Sequence, residues 1–125
     1  KYVMQSETYG SLFAASLMGT QKCPTLIKTT LKLMLEQNSK PLIPILEAMV
    51  QEDFSARLGE ISVPCVVICG TADETTPRWH SETLGRVIPD ARNIWVEGKG
   101  HQLNWEAPQV VVDAVKSLSA AKEPA

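Results

Sequence analysis

From residue 1 to about residue 60 the apolar positions follow a helical rhythm, and no stretch alternates with the period of two that marks a half-buried strand. Leu26, Ile27, Thr30, Leu31, Met34 and Leu35 recur at i, i+1, i+4, i+5, i+8 and i+9, a stripe along one side of a helix. Pro41 and Pro44 mark a break, because proline disfavours helical geometry in the residue before it and suits a first helical turn. A second helix is predicted from about Pro44 to Glu52, presenting Ile45, Leu46, Met49 and Val50 on one side.

After Glu60 the pattern changes. "VPCVVICG" (Val63 to Gly70) is a short β-branched apolar run stopped by glycine, which predicts a strand over 64–69 buried on both faces of a parallel sheet. The polar loop "TADETTP" and a helical stretch from about Arg78 to Ile88 follow. "RNIWVEG" (Arg92 to Gly98) is the next predicted strand, centred on 93–97, and a glycine-rich loop carries His101 after it. A last helix is expected to begin near Pro108 and to turn Val111, Ala114, Val115 and Leu118 toward the sheet, with a frayed tail "SAAKEPA". Strand, loop, helix, strand, loop, helix is the order of an α/β sheet with parallel strands.

In such sheets ligands bind beyond the carboxyl ends of the strands. The loops at that rim hold Asp73 and His101, each a few residues past its strand. Neighbouring strands lie about 4.8 Å apart, so a carboxylate–imidazole hydrogen bond is within easy reach. That pair is what general-base catalysis needs, since the carboxylate fixes the imidazole tautomer and stabilises the imidazolium. His80, inside "PRWHSE", reads as a surface helix residue.

"VPCVVICGTADETTP" followed by "IPDARNIWVEGKGHQLNWEAPQVVVDAV" resembles the C-terminal part of an α/β-hydrolase. In that family a strand ending in Gly-x-x-Asp gives the triad acid, matching Gly70 to Asp73, and a later Gly-x-Gly-His gives the base, matching Gly98 to His101. The Glu-Ala-Pro at Glu106 to Pro108 and the closing helix match as well, and the likeness covers roughly residues 55 to 120. "ILEAMVQEDFSARLGEI" is similar to the segment in which the family's helical cap returns to the core. The resemblance implies a cap over residues 1–60 and a core segment over 61–125, with Asp73 and His101 catalytic and Trp105, Leu103 and Met34 as substrate-binding candidates.

The family's nucleophile elbow, Gly-x-Ser-x-Gly, is absent. Ser11 in "YGSLF" and Ser16 in "AASLM" lack the flanking glycines and follow no predicted strand. The nucleophile is therefore expected outside this chain, with Lys1 downstream of it. The resemblance implies a Ser-His-Asp hydrolase acting on a small apolar ester or related acyl substrate, with no metal or organic cofactor. An aspartate nucleophile acting on epoxides or haloalkanes, a cofactor-free haloperoxidase, and a receptor or scaffold without turnover remain open alternatives.

Composition narrows the partners. Of 125 residues 44% are hydrophobic and 21% charged, and the net charge is -2 with lysine and arginine scattered, so neither nucleic acid nor an anionic membrane surface is indicated. No apolar run approaches the ~20 residues of a membrane helix. Cys23, Cys65 and Cys69 have neither metal spacing nor an even count, and are expected to be buried free thiols in a reducing, cytoplasmic compartment. A strand apolar on both faces with few neighbours is an edge that invites pairing. The chain is accordingly expected to associate, with the N-terminal half of its own protein or with a second copy.

Overall fold

Prolines and caps decide where the helices of the first part begin. A computed structural model of the protein describes residues 6–37 and 41–120, so the end of the predicted frayed tail, residues 121–125, lies outside the described residues. Helix α1 (Glu7–Ser16) starts after Ser6, whose hydroxyl accepts the Tyr9 amide at 3.4 Å. Helix α2 (Pro24–Glu36) opens on a proline, which gives up an amide that has no partner in a first turn. It carries the predicted 26–35 stripe and packs on α1, with Gly10 and Ala14 buried on one helix and Thr30 on the other.

Helix α3 (Leu42–Gln51) starts two residues before the expected Pro44. Pro44 falls within its first turn, where the missing N–H costs nothing, so the helix tolerates it instead of starting at it. Ile45, Leu46, Met49 and Val50 lie between 51 and 88% exposed, an apolar face with no cover among the described residues. A 3₁₀ helix (Ser55–Glu60), not foreseen in the sequence, leads into the sheet.

Strands β1 (Cys65–Gly70) and β2 (Ala91–Val96) pair in parallel, in register from Cys65 with Ala91 to Gly70 with Val96. Helix α4 (Arg78–Val87) connects them and packs against both. A short helix α5 (Leu103–Glu106), also unforeseen, precedes α6 (Pro108–Ala120), which lies against β1. The buried apolar residues are Ala14, Leu17, Met18, Cys69, Ile88, Leu103 and Ala114, so this core draws on the helical part as well as on the sheet.

Three expectations change. Within β1 only Cys69 and Gly70 are buried, and the rest of the strand is half-buried, because β2 is its one neighbour among the described residues. Cys23 is exposed at the turn before α2, although Cys69 is buried and all three thiols are free. On α6, Ala114 is buried and Val111 and Leu118 are half-buried, whereas Val115 is 59% exposed because the inward stripe instead includes Val110.

Candidate active site

Both loops at the carboxyl end of the sheet are fixed by main-chain bonds before any side chain acts. The Thr71 amide extends the ladder to the Val96 carbonyl (3.0 Å), and the Ala72 amide reaches the Lys99 carbonyl (2.9 Å). The Gly98 amide donates to the Thr71 hydroxyl at 2.9 Å. A side chain at Gly70 could not coexist with this lacing, since a Cβ there would stand 2.2 Å from the Lys99 carbonyl oxygen.

Asp73 sits in a tight turn of its own making. Its Oδ1 accepts the amides of Thr75 (2.8 Å) and Thr76 (2.9 Å), and its Oδ2 accepts the Thr76 hydroxyl at 2.8 Å. This is the usual reason an aspartate favours a turn. The same Oδ2 lies 3.0 Å from His101 Nδ1, and the Thr76 hydroxyl is 3.2 Å from that nitrogen. The Asp73 side chain is 6% exposed and the imidazole 38% exposed, so the carboxylate is sheltered behind a ring that faces outward. Burial, the largest single influence, raises the Asp73 pKa; the Thr76 amide, His101, the Thr76 hydroxyl and the Thr75 amide together outweigh it and hold the carboxyl below its ordinary value.

His101 is placed by a longer route. The amides of His101 (2.9 Å) and Gln102 (3.2 Å) both donate to the Leu17 carbonyl, just past the end of α1. Thr20 returns a bond to the Gly98 carbonyl from its amide (2.8 Å). Glu106 accepts the Gly19 amide on Oε1 (2.9 Å) and the Gly100 amide on Oε2 (2.7 Å). The histidine loop therefore rests on residues 17–20 of the helical part.

The structure brings Asp73 and His101 together. Trp105 lines a cleft of about 440 Å³ with Lys22, Cys23, Leu26 and Lys99, and neither Leu103 nor Met34 is in that lining. Leu103 is 9% exposed and turned into the core, and Met34 is half-buried on α2. His80 stacks on the neighbouring Trp79 ring with centroids 3.6 Å apart. Ser16 donates its hydroxyl to the Phe13 carbonyl at 2.8 Å, a helix-internal bond. Thr76 and Glu106 bond into this arrangement although the sequence reading gave them no role, Glu106 having entered only within the Glu-Ala-Pro match. Thr76 had a local signal, an aspartate three residues before a hydroxyl; the Glu106 bond to Gly19 spans 87 positions and had none.

Among the described residues no three histidine, cysteine or acidic side chains gather as for a metal, and no helix is long and apolar enough to cross a membrane.

No family model matches the chain. Over 87 residues, 70% of this chain, it is 34% identical to polyketide synthase ThaQ of Burkholderia thailandensis, of which the match spans 4%. In structure it is similar to an esterase of Exiguobacterium antarcticum, with a TM-score of 0.77 and 19% identity over 89% of this chain and 41% of that one. It is also similar to a bromoperoxidase of Bacillus anthracis, with a TM-score of 0.81 and 16% identity over 95% of this chain and 46% of that one. The chain thus spans less than half the length of each of these proteins, and its likeness to the two solved structures is one of fold.

Proposed function

We propose that this chain, which has the fold of part of an α/β-hydrolase, supplies the acid Asp73 and the base His101 of a Ser-His-Asp hydrolase whose serine lies outside it. The observation that carries the reading is the 3.0 Å contact between a sheltered carboxylate and an outward-facing imidazole at the carboxyl ends of adjacent parallel strands. With Nδ1 held by Asp73, the nitrogen left for chemistry is Nε2. It takes the serine proton as the oxygen attacks the acyl carbon, then returns that proton to the leaving group; water repeats the cycle to release the acid. The Thr76 hydroxyl, bonded to the same carboxylate oxygen, steadies the acid's orientation. An ester or related acyl compound of apolar character suits the reading, with Trp105 at the cleft beside the histidine loop as a substrate contact and residues 1–60 as its helical cap. Free thiols suit a cytoplasmic setting.

The test separates acid and base from nucleophile. Alone, the chain is expected to hydrolyse no short p-nitrophenyl ester and to take no fluorophosphonate label, because loss of the nucleophile removes nearly all triad catalysis. In a longer protein that carries a serine elbow upstream, both activities appear and the label falls on that serine. Turnover by the chain alone that disappears in Ser11→Ala or Ser16→Ala would place the nucleophile inside it and overturn the assignment.

A further inference from the structure

We infer that Glu106 is a positioning residue for His101, a carboxylate clamp that fastens the histidine loop to the segment following α1. The inference rests on the reading of His101 as the base. Its two oxygens are divided between two chains of backbone, Oε1 on the Gly19 amide and Oε2 on the Gly100 amide, and each amide has no other acceptor among the described residues. Both glycines are buried, and the main chains run in contact there. A Cβ on Gly100 would stand 2.4 Å from the Met18 carbonyl carbon, and one on Gly19 would stand 2.1 Å from the Gly98 carbonyl oxygen. Two amides facing one another at this range need an acceptor between them, since a buried N–H without one is costly.

Glutamate suits the place because a carboxylate accepts on both oxygens and donates nothing, whereas an amide side chain would turn a donor toward one N–H. The clamp closes one residue before His101, whose own amide is tied to Leu17 in the same segment. Glu106 itself is held in α5, where its amide donates to the Gln102 carbonyl at 2.9 Å. The imidazole's distance to Asp73 is thus set from the backbone side by residues 17–20, and Glu106 joins the two.

Hydrogen–deuterium exchange resolved to single amides on the full chain tests this without reference to turnover. In the unsubstituted chain the Gly19 and Gly100 amides are expected to be protected; free exchange at both overturns the clamp. In Glu106→Ala exchange at both amides is expected to rise about tenfold or more, the scale of losing a charge-assisted bond, while the amides of β1 and α6 keep their rates. Glu106→Gln, which keeps the shape and one acceptor, is expected to release one amide and spare the other. Carbethoxylation by diethylpyrocarbonate supplies the positioning readout: His101 is expected to react several-fold faster in Glu106→Ala, with His80 unchanged. A uniform rise at all amides and at both histidines would make Glu106 a general stabiliser and refute the inference. If the clamp behaves as described but a longer protein bearing an upstream serine hydrolyses no ester, the functional reading fails and the positioning of His101 stands.

Discussion

Replacing Asp73 by asparagine removes a charge to which every polar neighbour donates. In the native turn the carboxylate accepts two amides on Oδ1, and a hydroxyl and an imidazole on Oδ2, with its side chain 6% exposed. The asparagine oxygen can keep the two amides. Its NH₂ then faces the Thr76 hydroxyl, which must turn to accept, and His101 Nδ1, which must give up its proton. Bonds to a charged acceptor contribute about 1.5–3 kcal/mol against about 1 kcal/mol for neutral ones, and the variant escapes the desolvation of the carboxylate, so a net loss of about 2 kcal/mol is expected at neutral pH. Although burial alone raises the Asp73 pKa, the four donors prevail and the folded value is depressed. The stability this group contributes is therefore full above the unfolded value of about 3.9. It is lost as the pH falls through the lower folded value, where the protonated carboxyl and the asparagine become equivalent. Urea unfolding of both chains, at one protein concentration and at pH steps from neutral to about 2, checks this. A difference between the chains that stays constant over the range, or that grows toward acid, would show that the carboxylate is not stabilised by its donors.

In a longer protein containing this chain and a serine elbow, His101→Ala is expected to reduce ester hydrolysis by about 10³-fold or more, with His80→Ala within a few-fold; equal effects in a p-nitrophenyl ester assay would contradict the assignment. The apolar faces of α3 and β1 lead to the expectation that the isolated chain persists in folded form only in association, so sedimentation should give a species heavier than 13.7 kDa, and a cooperatively unfolding monomer at micromolar concentration would refute it.

What the sequence disclosed and what it withheld differ by the range of the forces involved. The β1 run and the α2 stripe were legible because burial of neighbouring positions on one face imposes a local period. The Asp73–His101 contact was legible because both residues follow neighbouring strands by a few positions and the likeness of Gly70 to Asp73 and Gly98 to His101 to the family's acid and base motifs singled them out. The start of α3 was misplaced because proline satisfies first-turn geometry at more than one position, and the choice among them left no local mark. Helix α5 escaped notice because four residues hold less than two periods, too few to read. Burial of β1 was overstated because a β-branched run records the environment a strand suits, whereas here one strand lies beside it.

The same distinction separates the two halves of the site. Asp73 is held by Thr75 and Thr76, within three residues of itself, so its geometry is a property of one turn and travels with it. His101 is supported differently: besides the bonds that lace its loop to Thr71 and Ala72, it depends on distant backbone. Its loop is oriented by Leu17, by Gly19 through Glu106 and by Thr20, more than 75 positions away, and these lie beside α1 and α2 in the helical part. Met18, 1% exposed, is the largest fully buried side chain among the described residues and lies within that same contact segment. Burying Met18 and bonding its two neighbours to the histidine loop and to Glu106 thus go together, and loosening of the helical part is expected to disturb His101 more than Asp73, whose turn supplies its own bonds. The 3.0 Å contact between Asp73 and His101 is where a displacement of the helical part is expected to register, since Leu17, Thr20 and, through Glu106, Gly19 bond to the histidine loop and none of them bonds to the Asp73 turn.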